Sequence, residues 1–446
     1  MIRAWREDSP GAVKGRVDDM VYENEHWMRR RRFAAALALL TTGAGIGVAQ
    51  HDAGRTTLDA VQATAPTPSA VAAIVVSVAE TREERKARLE RETLAQAERL
   101  VRAEIRRGAF PGAALAAGRG AHLELLTGVG NAEWGKYEVD PERTIYDIAS
   151  LTKVVATTTA VMLLVEDGRV DVDAPVSRYL PEFSGGARDR VTIRHLLTHT
   201  SGLPAGAGAP GTPSQALRAL IRTPLQNAPG EKMVYSDVGF VVLYAAAERV
   251  AGQPVDRLLE SRVFGPLGMI STGYNPGGEA CDRCSPSYRN DDGTPVRGKV
   301  HDPTARKLGG VAGNAGLFST AADLARFAAM LAEGGTLEGV HVFDEETIRM
   351  FTAKQPDAGN RALGWETPKQ SGGSSGGQVS RKAFGHTGFT GTSMWIDPER
   401  GTWTVLLANR TFDPHASNRI QALRRAVNDR IAEAAELADV NGVLAD

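Results

Sequence analysis

Segments with a strand-like pattern occur near both ends of this chain, and a long, mostly helical region separates them. The strand-like segments are residues 113–118, 122–128, 382–387, 392–396 and 402–408. Between about residues 170 and 350 the pattern is helical and is interrupted by loops rich in glycine and proline. This arrangement predicts an α+β fold that is built from both ends of the chain, with a helical region inserted between them.

The sequence also predicts three helices outside the strand-like segments. Residues 80–107 carry leucine and alanine at helical spacing, which predicts one long amphipathic helix before the first strand. Residues 150–167 are apolar and are followed by Gly168, a residue suited to the C-terminal end of a helix. A last amphipathic helix is predicted over residues 418–437.

The N-terminal region is typical of an exported protein. A run of four arginines precedes an apolar stretch, residues 33–49, which is shorter than the roughly 20 apolar residues of a membrane span. We predict a signal peptide within residues 1–49, a linker over residues 50–79 and a catalytic domain over residues 80–440. A retained N-terminal membrane anchor is the alternative, the arginines also permit a twin-arginine signal, and Met28 could be the true start.

Composition excludes several classes of function. A net charge of −1 with balanced signs argues against a nucleic-acid binder. The sequence contains no metal-binding or nucleotide-binding motif, so no cofactor is predicted. The two cysteines, Cys281 and Cys284, are too few for a disulfide scaffold, and in an exported protein they predict a single short-range disulfide.

Ser150 and Lys153 form the first candidate site. Residues three apart share one face of a helix, so the lysine amine can reach the serine hydroxyl. A serine needs an adjacent base to act as a nucleophile, and a lysine can be that base when burial or a neighbouring positive charge lowers its pKa. The alternative is a serine that caps the helix, with a solvated lysine one turn later.

Tyr235 and Asp237 form the second candidate site, directly before an apolar helix over residues 238–250. The phenol of Tyr235 could exchange protons with Ser150 and with a leaving group, if Lys153 keeps the phenol polarised. The alternative is an aromatic packing residue, with Ser236 or Asp237 as the helix cap.

A third candidate site lies in the late strand pattern and contains His386, Thr387 and Gly388. A strand edge that ends in glycine lets a substrate lie alongside and pair with the backbone. The backbone N–H groups of Phe389 and Ser150 could then form an oxyanion hole. The alternative is a plain turn between two strands, with a solvated His386.

The order Ser-x-x-Lys, Tyr-x-Asp, His-Thr-Gly resembles the pattern of class C β-lactamases, penicillin-binding proteins and related esterases. Further stretches, over residues 145–149, 166–173, 194–203 and 309–313, are similar to that superfamily, and the resemblance covers roughly residues 85–435. It implies an antiparallel sheet flanked by helices, with a helical subdomain above the cleft. It also implies that Ser150 is acylated, that Lys153 and Tyr235 transfer protons, and that His386, Thr387 and Gly388 line the substrate edge.

Two residues depart from the β-lactamase pattern. Asp237 replaces an asparagine that contacts the substrate amide, and His386 replaces a lysine that attracts a substrate carboxylate. Both departures favour the esterase and peptidase-like branches. The predicted function is therefore a serine hydrolase acting on a small ester, amide or D-amino-acid peptide, such as a peptidoglycan fragment. The alternatives are a catalytically silent cell-wall-binding or sensor protein on the same fold, and a true β-lactamase.

Overall fold

The computed structural model describes residues 82–369, 373–413 and 419–439. The predicted signal peptide or anchor (1–49), the linker (50–79) and the C-terminal boundary at residue 440 lie outside the described residues.

The predicted strands are present and several extend beyond the predicted bounds. In chain order the strands are β1 Gly112–Arg119, β2 His122–Glu133, β3 Lys136–Glu138, β4 Tyr146–Asp147, β5 Gly273–Tyr274, β6 Tyr288–Arg289, β7 Pro295–Val296, β8 Leu317–Ser319, β9 Thr336–Leu337, β10 Val340–His341, β11 Phe384–Thr387, β12 Ser393–Asp397 and β13 Thr402–Ala408. The short strands β5–β10 interrupt the region that the sequence predicted to be mostly helical.

The α-helices, again in chain order, are α1 Arg82–Arg106, α2 Thr159–Glu166, α3 Val176–Tyr179, α4 Ile193–Leu197, α5 Pro213–Ile221, α6 Asp237–Ala251, α7 Val255–Leu259, α8 Glu279–Asp282, α9 Pro303–Lys307, α10 Ala321–Ala332, α11 Glu345–Thr352 and α12 Ile420–Asp439. Short 3₁₀ or π segments are Ala149–Leu151, Lys153–Thr158, Gly186–Arg190, Glu260–Phe264 and Arg410–Phe412. The predicted first and last helices match α1 and α12 closely.

The main sheet joins the two ends of the chain. Its strand order is β11-β12-β13-β1-β2-β3, and all neighbouring pairs are antiparallel. The central pair, β1 and β13, brings together residues almost 300 positions apart, with Ala113 opposite Ala408. This pairing confirms the α+β fold predicted from the strand pattern.

Both faces of the sheet are covered, which explains why β1 is apolar throughout. Ala113 and Leu115 pack in a cluster with α1 and α12, whereas Ala114 and Ala116 belong to the larger cluster on the opposite face. Successive side chains of a strand point to opposite faces, so a strand covered on both sides needs apolar residues at every position. Helix α10 packs against the sheet on the second face.

Helix α6 organises the inserted helical region. It packs against α2, α3, α4, α5 and α7, and most of its side chains are buried. Ser236 caps its first turn by accepting a hydrogen bond from the N–H of Gly239, and Gly252 ends it in a left-handed conformation. The N-terminal end of α6 carries Asp237, which places that residue beside the helix of the candidate nucleophile.

The helix that follows Ser150 is not a regular α-helix. A 3₁₀ turn over Ala149–Leu151 leads into a π segment over Lys153–Thr158, and α2 follows. Among the described residues, the stretch Ala149–Glu166 has the length and hydropathy of a membrane span, yet 83% of it is buried inside the protein. It is therefore explained as a core helix, and the predicted end at Gly168 is confirmed by its φ of 68°.

The predicted disulfide is absent, because Cys281 and Cys284 are both free. Cys284 is fully buried in a small cluster with Ile145 and Phe318, and its thiol donates to the carbonyl of Ala280 at 3.3 Å. Burial raises the pKa of the Cys284 thiol to about 12, so this side chain behaves as a core residue.

Candidate active site

The turn that carries Ser150 is strained and is held by a buried carboxylate. Ala149 has a φ of 49°, a left-handed conformation that costs energy for any residue with a β-carbon. Asp147 stabilises the turn by accepting hydrogen bonds from the N–H groups of Ala149 at 2.9 Å and His301 at 2.6 Å. Burial raises the pKa of Asp147 to about 6, despite these two hydrogen bonds, which lower it.

The loop after β11 is fastened to the same turn. The hydroxyls of Thr390 and Thr392 donate to the carbonyls of Asp147 at 2.8 Å and Ile148 at 3.0 Å. A β-carbon at Gly388 would lie 2.6 Å from the Ile148 carbonyl oxygen and 2.0 Å from the Thr392 hydroxyl. Only glycine permits this close approach, which brings the predicted substrate edge beside the nucleophile turn.

Lys153 is fully buried and is anchored by three groups. Its ammonium nitrogen lies 3.1 Å from the Ser150 hydroxyl, 2.8 Å from the carbonyl oxygen of Asn314 and 2.7 Å from the Asp237 carboxylate. The spacing argument for Ser150 and Lys153 is confirmed in its geometry, and the alternative of a solvated lysine is wrong.

The charge of Lys153 differs from the expectation that burial would make it a neutral base. Burial does oppose the charged form, but electrostatic interactions and hydrogen bonds with Tyr235 and Asp237 raise the pKa of Lys153 above its ordinary value overall. Lys153 is therefore an ammonium ion at neutral pH. The condition for a lysine base, a lowered pKa, is not met here.

Asp237 explains this difference. The sequence placed it at the substrate, in the position of the β-lactamase asparagine. In the structure its carboxylate forms an ion pair with Lys153, and a third of its side chain is exposed. An asparagine could accept a hydrogen bond from Lys153 but would not supply the compensating charge.

Tyr235 lies against Lys153 and two histidines. Its ring centroid is 4.9 Å from the Lys153 ammonium, 4.5 Å from the ring of His199 and 6.0 Å from the ring of His386. His199 fixes the backbone at this point by accepting the N–H of Ser236 at its Nδ1 atom, at 3.0 Å.

His386 is only 2% exposed, so the alternative of a solvated histidine in a plain turn is wrong. Burial, followed by the positive charges of Arg361 and Lys153, holds the pKa of His386 well below its usual range. Its Nδ1 lies 2.9 Å from the Thr387 carbonyl, so the neutral ring donates there and leaves the buried Nε2 without a partner among the described residues. His386 therefore cannot supply the cation that the lysine of β-lactamases provides.

Thr387 and Phe389 complete the predicted substrate edge. Strand β11 is the outermost strand of the main sheet, and its last residue, Thr387, is half-buried. Phe389 follows on an exposed turn, where its ring stacks on His301 at 5.5 Å and lies 4.5 Å from the guanidinium of Arg410. The structure thus connects the eight predicted residues to the turn of Ser150 or to Lys153 and Tyr235.

Two residues of this site had no sequence signal. Asn314 contributes only its backbone carbonyl, which any residue could offer, although it directly follows the glycine-rich stretch 309–313. Arg361 lies 5.2 Å from the Tyr235 ring centroid and 126 positions away in the chain, in a segment without a recognised motif.

The geometry of this site can be compared with that of known proteins. The sequence profile of the Beta-lactamase family matches residues 97–428, nearly three quarters of the chain. The chain belongs to the Beta-lactamase family. Members of this superfamily are serine hydrolases, and the resemblance drawn from the three motifs is confirmed.

Relatives and solved structures of the Beta-lactamase family agree with this assignment. A protein of Salmonella agona, provisionally named a D-alanyl-D-alanine carboxypeptidase, is 33% identical over an alignment of 316 residues, and the match covers 62% of this chain and 72% of the relative. A penicillin-binding-protein homologue from Caulobacter crescentus superimposes with a TM-score of 0.63 at 21% identity, covering 77% of this chain and 97% of its own. A class C β-lactamase superimposes with a TM-score of 0.63 at 20% identity, covering 80% of this chain and 98% of its own. The last two likenesses establish the fold.

Proposed function

We propose that this member of the Beta-lactamase family cleaves a small ester, amide or D-amino-acid peptide through an acyl-enzyme on Ser150. The supporting observation is the 3.1 Å contact between the Ser150 hydroxyl and an ammonium group, Lys153, that is wholly removed from solvent. Among these substrates we favour peptides that end in D-alanyl-D-alanine, because the Salmonella relative carries that name.

In the first step the Ser150 oxygen attacks the substrate carbonyl, and its proton passes to the oxygen of Tyr235, which acts as a phenolate beside the Lys153 ammonium. Lys153 stays protonated because Asp237 pairs with it, so it contributes a fixed positive charge between the two reacting oxygens. Tyr235 then returns the proton to the nitrogen or oxygen of the leaving group as the tetrahedral intermediate collapses. The acyl group remains on Ser150.

The negative oxygen of the intermediate needs donors that are already in place. The N–H groups of Ser150 and Phe389 fit this role, since the nucleophile turn and the loop after Gly388 are held together by the Thr390 and Thr392 hydrogen bonds. Water then attacks the acyl-enzyme and its proton passes to Tyr235. Tyr235 gives that proton to the Ser150 oxygen as the bond to the acyl group breaks, which releases the carboxylic acid and restores the serine hydroxyl. Thr387 and Gly388 offer backbone groups at the sheet edge for the substrate.

The decisive experiment is intact-protein mass spectrometry of the full chain after incubation with a penicillin and, separately, with a fluorophosphonate. We expect a covalent adduct on Ser150 that is absent from Ser150→Ala. Labelling by neither reagent, in a protein that melts cooperatively, would favour the silent cell-wall binder. Rapid consumption of the penicillin without a lasting adduct would instead favour a true β-lactamase.

The proposal also includes the cellular location of the protein. The arginine run and the apolar stretch of residues 33–49 support export to the periplasm or the cell exterior, with peptidoglycan fragments as accessible substrates. N-terminal sequencing of the protein recovered from the periplasm should show cleavage near Ala49. An intact N-terminus in the membrane fraction would favour the anchor, and recovery from the cytoplasm would exclude export.

A further inference from the structure

Arg361 is a buried cation for which the described residues provide no counter-charge. It is 8% exposed, and its Nε and Nη1 atoms are enclosed without a hydrogen-bond acceptor from that part of the chain. Across the described ranges, no carboxylate lies within ion-pair distance of its guanidinium group, although most buried arginines have such a partner. The Nη2 atom is neither enclosed nor bonded to a described residue, so it is the atom through which Arg361 can be reached.

A second buried arginine shows what a structural role looks like in this protein. Arg424 is 3% exposed, and its Nη2 atom donates to the carbonyls of Gly388 and Thr392, both at 2.7 Å. Those two bonds hold the loop of the substrate edge, so the burial of Arg424 is compensated by the backbone. Arg361 has no equivalent bonds from its side chain.

The position of Arg361 indicates what kind of group could balance its positive charge. Its guanidinium carbon lies 5.2 Å from the ring centroid of Tyr235, and its charge lowers the pKa of both His386 and His199. The field of Arg361 therefore reaches the group that is proposed to protonate the leaving group. It supplies a cation beside His386, the residue that is neutral where many β-lactamases have a lysine.

The chemistry of the proposed substrate provides a matching anion. In a leaving amino acid, a single carbon separates the amine nitrogen from the carboxylate, so a carboxylate must lie close to Tyr235 when that nitrogen receives its proton. A planar guanidinium is suited to carboxylates and forms strong, charge-assisted hydrogen bonds with them. We infer that Arg361 recognises the carboxylate of the substrate's leaving group and selects substrates that carry one. This inference rests on the proposed function.

The test compares two depsipeptides with the full-length protein. N-acetyl-D-alanyl-D-lactate carries the carboxylate, and its D-lactamide counterpart is neutral at the same position. We expect the wild type to prefer the carboxylate, and Arg361→Gln to lose roughly 10- to 100-fold in kcat/KM for it, as for one hydrogen bond to a charged group. The kcat/KM for the lactamide should fall much less, so the ratio of the two kcat/KM values should drop in Arg361→Gln, and Arg361→Lys should restore part of the preference by keeping the charge.

The control is Arg194→Gln. Arg194 already has partners, Asp173 at 2.6 Å and Gln355 at 2.5 Å, so its loss should leave the preference between the two depsipeptides intact. An equal loss for both substrates in Arg361→Gln, or no preference in the wild type, would overturn the inference.

A second measurement does not depend on turnover or on the folding of a variant. N-acetyl-D-alanyl-D-alanine should slow fluorophosphonate labelling of wild-type Ser150 more strongly than its C-terminal amide does. Equal protection by both compounds would refute the role of Arg361 while leaving the nucleophile intact. Absence of any Ser150 labelling would instead refute the proposed function, and the inference with it.

Discussion

The ion pair between Lys153 and Asp237 can be tested by Asp237→Asn, which restores the residue typical of β-lactamases. At 2.7 Å, two unit charges attract by about 6 kcal/mol at an effective dielectric constant of about 20. Two effects reduce the net loss, because the side chain of Asp237 is 33% exposed and because asparagine can still accept a hydrogen bond. We expect the free energy of unfolding at pH 7 to fall by about 2–3 kcal/mol.

The same substitution should change the pH dependence of activity. Without Asp237, the burial of Lys153 is less well compensated, and its pKa falls. If the ammonium form is required, the alkaline limb of kcat/KM for a neutral aryl ester must move to lower pH in Asp237→Asn. The assay is a pH series of initial rates, accompanied by urea unfolding at pH 7.

The matched control is Asp167→Asn, which removes a carboxylate paired with Arg262 at 2.6 Å on a partly exposed surface. Such pairs contribute at most about 1 kcal/mol, and this one is remote from Ser150 in the fold, so the pH profile should not move. An alkaline limb that stays in place in Asp237→Asn, together with unchanged stability, would show that the ion pair does not set the charge of Lys153.

Three further predictions follow from the site. Gly388→Ala should cost about 1–3 kcal/mol in urea unfolding and most of the esterase activity, because its β-carbon would meet Ile148 and Thr392, whereas Gly377→Ala, with open space around it, should have neither effect. Lys153→Met should lower kcat for an aryl ester by about 10³-fold or more while the protein still melts cooperatively; near-normal turnover would contradict the proposed step. Burial raises the pKa of Asp147 from 3.8 to about 6, so the folded state holds a proton that the unfolded state releases. The protonated Asp147 carboxyl therefore contributes fully to the free energy of unfolding below about pH 4, and this contribution is lost as the pH rises through 6. Asp147→Asn should therefore remove part of the fall in unfolding free energy over that interval, and parallel pH curves for the two proteins would contradict the raised pKa.

The sequence by itself determined the local structure and the candidate reacting groups. Ser150 and Lys153 are three residues apart in a helical stretch, so their spacing in the sequence was enough to predict their contact, although the stretch is not a regular α-helix. The strand periodicity near both ends was sufficient for the α+β fold, because a period of two is a local property of the chain. The order of the three motifs was sufficient to predict the family to which the chain belongs.

Only the tertiary structure decided the charges within the site. Whether Lys153 is a base or an ammonium ion depends on Asp237, which lies 84 positions later in the chain. The burial of His386, the unpaired Arg361 and the free thiol of Cys284 likewise depend on which distant segments cover them. Burial and electric fields act through space, so the same residue types in the same order could carry different charges in another packing arrangement.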